Sequence, residues 1–164
     1  MSFEASDKEI NDIFNNVVFT IPRNQRKYVW NKDNWKELLD DVLSSYHSNR
    51  PHFIGSIVLK DNKTQNGVNY YTVIDGQQRI TTTIILLTSI IRLFKEYDMK
   101  NEFEGTLKYV HSKDNVNNPH PLMSNKDDNV ISDLITNSIN WENIYNGTAF
   151  INTVIPLKKN KSYK

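Results

Sequence analysis

Apolar positions along the chain recur with two different periods, and the places where one period gives way to the other mark out the elements. Ser6 with Glu9 reads as a capping box opening a short helix with Ile10, Ile13 and Phe14 inward. Val17 to Ile21 reads as a strand stopped by Pro22, and residues 22 to 30 have no clean period and read as an ordered loop. Asn34 with Glu37 predicts a second capping box, ahead of a helix with Trp35, Leu38, Leu39, Val42 and Tyr46 at helical spacing. Phe53 to Leu59 is the next predicted strand, interrupted by Gly55 and Ser56. A polar loop from Lys60 to Asn69 carries the hairpin signal Asn66-Gly67, and Tyr70 to Ile74 returns as the antiparallel partner. From Ile80, two adjacent apolar stripes (Ile80, Ile84, Leu87, Ile91, Phe94 and Leu86, Ile90, Leu93, Tyr97) predict a helix buried on most sides.

Beyond Tyr97 the periodicity weakens. Phe103 to Val110 reads as further helix, and Asp114 to Asn125, with Pro119 and Pro121, as a loop. Asp127 to Ile139 reads as a short helix backed by Trp141 and Tyr145, and the last eight residues as a solvated tail. The expected organisation is a core over 1–100, a partial helical extension over 101–156 and a tail over 157–164.

Composition narrows the function classes. With 164 residues and 38% hydrophobic content the chain can bury one ordinary core. Its 20 basic and 19 acidic residues nearly cancel, which gives no overall field for gathering nucleic acid or membrane. The longest apolar run, Ile84 to Leu87, is too short to span a bilayer, and no secretion signal follows Met1, so a cytoplasmic protein with no membrane partner is expected. Cysteine is absent, which removes disulfides, cysteine-ligated zinc and thiol nucleophiles. His47, His52, His111 and His120 show no metal-binding spacing and read as surface residues.

The densest chemistry lies in residues 74 to 83, Ile-Asp-Gly-Gln-Gln-Arg-Ile-Thr-Thr-Thr, where the last predicted strand turns through a glycine into the buried helix. A helix start presents unpaired N–H groups and the positive end of the dipole, and anions bind there. A plain capped helix, with Asp75 as N-cap and Gly76 for the turn, accounts for those two residues. It does not account for Gln77, Gln78 and Arg79 together at the mouth of a buried helix, because an arginine there opposes the dipole unless an anion is present. The segment Gln25-Arg26-Lys27-Tyr28-Val29-Trp30 has two readings of equal weight. Its aromatics and arginine can hold a base and a phosphate, or they can cover the core and form a structural ion pair. Gly55 and Ser56 lie inside a predicted strand, where a glycine suggests a bulge or a close approach of another backbone or a ligand.

Four blocks in order carry a resemblance: Ile21 to Trp30 (Ile-Pro-x-x-Gln-Arg-x-Tyr-x-Trp), Trp35 to Asp41, Phe53 to Leu59, and Val73 to Thr82. Together they resemble the GmrSD-type domain of unknown function, which heads bacterial modification-dependent DNA restriction and phage-defence proteins. The segment Leu122 to Ile135 is similar to a later, looser part of that family. The resemblance implies an α+β fold like that of ParB and sulfiredoxin, in which a turn followed by a helix binds nucleotide phosphates. Sulfiredoxin chemistry itself needs a cysteine and is excluded.

What the family resemblance implies is binding and hydrolysis of a nucleoside triphosphate with Mg2+ or a similar divalent cation, coupled to sensing modified DNA. Carried over, Asp75 would hold the metal or position water, and Asp75, Gln78 and Arg79 form the expected catalytic set. Gly76 and the N–H groups after it would cradle phosphate, with Gln77, Thr81 and Thr82 orienting phosphates or metal waters. Gln25, Arg26 and Tyr28 would close the pocket, together with Gly55 and Ser56. Family proteins commonly continue into an HNH-type nuclease, whereas no His-Asn-His arrangement occurs here, so a separate or missing nuclease domain is expected and the chain reads as a truncated copy or a stand-alone regulator. A non-catalytic module that senses nucleotide or DNA is the alternative expectation, and the sequence leaves a homo-oligomer open.

Overall fold

A computed structural model of the chain describes residues 4–125 apart from 24, 26, 27, 117 and 118. Arg26, the helix expected over 127–139, Trp141, Tyr145 and the tail over 157–164 lie outside the described residues. The architecture is α+β, as expected. In chain order the elements are α1 (Ile10–Ile13), β1 (Val17–Ile21), α2 (Lys32–Ser48), β2 (Val58–Gln65), β3 (Val68–Asp75), α3 (Gln77–Glu96) and α4 (Lys100–Thr106). A 3-10 turn (Leu107–Tyr109), β4 (His111–Lys113), β5 (Pro119–Pro121) and β6 (Met123–Asn125) follow.

Four strands form one sheet in the order β2-β3-β1-β6. The central strand β1 is parallel to β3, with Phe19 opposite Tyr71, and parallel to β6, with Phe19 opposite Met123. A strand flanked on both sides and covered on both faces favours an unbroken apolar run, and Val17, Val18, Phe19 and Ile21 are all buried. β2 and β3 pair antiparallel around Asn66 and Gly67, whose φ values of 52° and 79° are the two positive angles that a tight hairpin turn needs. The hairpin is longer than the sequence suggested. Its strands run right up to Asn66-Gly67, because the alternating Lys, Asn and Thr of β2 face solvent on an edge strand that needs no apolar pattern.

α3 lies across one face of the sheet. Its Ile80 and Ile84 join Phe14, Phe19, Ile21, Val73, Leu122 and Met123 in one buried cluster. Phe14 and Phe19 meet edge to face with ring centroids 5.6 Å apart. Because β1, β3 and β6 are mutually parallel, their carboxyl ends share one end of the sheet, and α3 begins at that end.

Several local expectations need correcting. The cap of α2 is Asn31, whose side chain accepts from the backbone N–H of Asp33 and Asn34 while the Asn34 amide oxygen accepts from the Asn31 N–H. The box therefore lies three residues upstream of Asn34 and Glu37, with Asn34 as its second member. α1 starts after Glu9 with no side-chain cap, so the Ser6–Glu9 box does not form. Phe53 to Ile57 is not strand: Gly55 adopts φ +102°, and pairing begins at Val58. The expected loop over Asp114 to Asn125 contains β5 and β6. His111 is buried on β4, and His120 Nε2 stands 3.5 Å from a buried Asp114 carboxylate, so these two histidines are not plain surface residues.

Phe19 is fully buried at the crossing of the sheet and α3. Replacing it with alanine should cost about 3–5 kcal/mol, read as a lower urea midpoint at unchanged slope.

Candidate functional site

The strand–turn–helix at the carboxyl end of β3 depends on Gly76. This residue is the N-cap of α3 at φ +87°, and an added Cβ would lie 3.0–3.3 Å from Ile57, including its Cα. Both the left-handed conformation and the close backbone approach exclude side chains at this point. Asp75 is therefore not the cap it was expected to be under the structural reading. No side chain caps α3, and no acidic residue lies in its first turn. The first N–H groups of this 20-residue helix thus stand at the end of the sheet with no acidic side chain in the first turn, exposed Asp75 lying one residue before the cap.

The loop after β1 is folded back onto this turn, and the amide of Gln78 holds it. Buried Gln78 Oε1 accepts from the backbone N–H of Val29 at 2.9 Å and of Trp30 at 3.3 Å. Gln25 Nε2 donates to the carbonyl of Ile74 at 3.0 Å, on the last turn of strand before Asp75. A chain of bonds then ties α2 to α3. Trp35 Nε1 donates to the Tyr28 hydroxyl at 2.5 Å, that hydroxyl lies 2.7 Å from Thr82 Oγ1, and Thr82 Oγ1 donates to the Gln78 carbonyl at 2.8 Å. Thr82 has one proton, already given to Gln78, so Tyr28 must be the donor between the two hydroxyls. Burial raises the Tyr28 phenol above its usual 10, against the lowering effect of its bonds to Thr82 and Trp35, and so keeps that donor protonated.

On the other side of the turn, Arg79 is held by the loop before β2. Its Nη1 donates to the Ser56 carbonyl at 3.1 Å, and Gly55 lets the guanidinium lie against the backbone, since a Cβ there would come within 2.6 Å of Nε. What approaches Gly55 is the side chain of Arg79, neither another backbone nor a strand bulge, since strand pairing begins only at Val58. Among the described residues no carboxylate forms an ion pair with Arg79, and none of the cations pairs with the exposed Asp75.

The expected site residues therefore fall into two groups. Gln25, Tyr28, Gln78, Thr82, Gly55, Ser56 and Gly76 build the frame, as does buried Thr81, whose hydroxyl lies 3.6 Å from Met123 Sδ. Asp75, Gln77 and Arg79 retain unused polar capacity. Buried Gln77 Oε1 has no hydrogen-bond partner among the described residues. Trp35 and Ile57 were missed as frame residues, although Trp35 was visible as an apolar helix position. Its second role as a donor to Tyr28 has no signal in spacing.

Among the described residues, no group of three or more His, Asp or Glu side chains is arranged to hold a metal ion. Magnesium, however, usually takes one or two carboxylates and completes its shell with water and substrate phosphates. Asp75, exposed and unpaired next to an uncapped helix start, fits that mode. No described helix is long and apolar enough to cross a membrane.

A family model described as the N-terminal domain of GmrSD restriction endonuclease matches residues 8–163. No curated protein matches the chain.

Replacing Gln78 with leucine should strand the Val29 and Trp30 N–H groups, lowering stability by about 1–3 kcal/mol. Amide exchange at those two residues should quicken while the middle of α3 stays protected; equal exchange in both proteins would show that the loop is held by something else.

Proposed function

The chain belongs to the family of GmrSD restriction endonuclease N-terminal domains, a module of restriction or defence systems, and on that premise we propose that it binds and hydrolyses a nucleoside triphosphate. The observation that carries this reading is the start of α3 at Gly76, which has no acidic residue in its first turn, with Arg79 there forming no ion pair among the described residues. An arginine placed there with only the Ser56 carbonyl to accept from it, and no carboxylate among the described residues, opposes the helix dipole, and a bound phosphate reverses the sign of that term.

In this proposal the N–H groups following Gly76 cradle the phosphates and the guanidinium of Arg79 neutralises them. Asp75 would hold a divalent cation delivered with the triphosphate, which would supply neutralisation of the phosphate charge. Gln78 acts as a positioning residue, since its carbonyl oxygen keeps the 28–30 loop against the helix start. Turnover would signal the presence of modified DNA to a nuclease carried by another domain or another chain. The exposed Val29, Phe53 and Ile74 lie on the segments that border the turn and offer an apolar surface for a base or for DNA.

The reading is tested by calorimetry and phosphate release with each of the four triphosphates and magnesium. Wild type should bind at least one of them, and Arg79→Ala should weaken binding about ten-fold or more, as expected for loss of a charge-assisted contact. Asp75→Asn should reduce turnover far more than affinity. Binding without phosphate release would favour a sensing module; no binding to any triphosphate would sink the reading.

A further inference from the structure

Three amides stand at the carboxyl end of β3, and two of them are engaged. Gln25 Nε2 donates to the Ile74 carbonyl, and Gln78 Oε1 accepts from two backbone N–H groups. Gln77 differs. It is the first residue of α3, only 7% exposed, and its Oε1 is buried with no partner. Native folds rarely leave a buried acceptor unsatisfied, and one at a candidate site calls for a ligand explanation.

The unsatisfied atom is an acceptor, so its partner must be a donor. That excludes the phosphate oxygens, which are matched instead by the neighbouring helix N–H groups and Arg79. A magnesium ion prefers carboxylates, and exposed Asp75 offers one, whereas Gln77 offers a single neutral amide oxygen, which suits a neutral hydroxyl donor. With phosphates on the α3 start, the next donors along a nucleotide are the hydroxyls of its sugar, joined directly to the phosphate chain.

We propose that Gln77 is a specificity-determining residue: its buried side-chain oxygen accepts a hydrogen bond from a ribose hydroxyl, so that the site selects ribonucleotides over their deoxy analogues. The inference rests on the nucleotide reading above. It follows the general asymmetry that a site built around a polar contact rejects a ligand lacking that contact, because the buried protein atom is then left unpaired.

The test compares wild type with Gln77→Met, which keeps length and apolar bulk but removes the acceptor. Calorimetric affinities are measured with magnesium for a triphosphate, its 2′-deoxy form and its 3′-deoxy form. Wild type should bind one or both deoxy forms about ten-fold more weakly than the ribonucleotide, and Gln77→Met should bind all three alike, near the weaker value. The thermal midpoint of ligand-free Gln77→Met should equal or exceed that of wild type, since an unsatisfied buried acceptor has been removed. Equal wild-type affinities for the three ligands would overturn the inference and leave nucleotide binding intact. So would discrimination that survives in Gln77→Met, or a free variant clearly less stable than wild type. Absence of binding by any triphosphate would instead remove the nucleotide reading itself.

Discussion

The contact between Gly76 and the backbone of Ile57 is the constraint on which the polar end of this domain depends. With φ at +87° and Ile57 Cα 3.1 Å from where a Cβ would sit, the chain turns from β3 into α3 within a single residue. A side chain there would be strained in the left-handed conformation and would push Ile57 back by a few tenths of an ångström. That turn also fixes two flanking loops. The loop after β1 is bound through Gln78, and the loop before β2 through Arg79 and Gly55. One glycine therefore organises three segments far apart in sequence.

The polar residues of the turn serve different ends, and hydrogen-bond accounting separates them. Groups with filled valences hold the frame: the amide of Gln78, the hydroxyls of Tyr28 and Thr82, and the indole of Trp35 form a continuous series from α2 into α3. Series of this kind are cooperative in a partly buried setting, so each member contributes more in place than its pairwise bond suggests. Groups with unfilled valences cluster within five residues, Asp75 to Arg79. A site that reacts with a ligand needs both classes, and the sequence motif presents them mixed together.

That mixing explains what could and could not be read from sequence. Val17–Ile21 was legible because five consecutive strand formers end at a proline, and the hairpin because Asn66-Gly67 demands positive φ at both positions. The buried helix was legible from its stripes, although α3 starts at Gln77, three residues before the first apolar position. β6 was not legible: it has only three residues and follows Pro119 and Pro121, and it is strand because it pairs with β1, a long-range contact without local signal. The cap of α2 was misplaced because Asn31 and Asn34 are both good cap residues, and only geometry shows which one precedes the helix. Asp75, Gln77 and Arg79 stand out by residue type alone, whereas Gln78 as a loop clamp does not, since its partners are backbone groups of Val29 and Trp30. Backbone donors leave no trace in a sequence.

Charge at the turn also limits what it can hold. The helix end supplies roughly half a positive charge, and Arg79 supplies one more, while exposed Asp75 stands beside them with a negative charge. A triphosphate brings several negative charges, more than that local field can offset, and Asp75 repels it directly. On the proposed reading, a divalent cation held by Asp75 would offset that repulsion. An acid next to an uncapped helix start is thus a poor design for a bare anion and a good one for an anion that arrives with its metal.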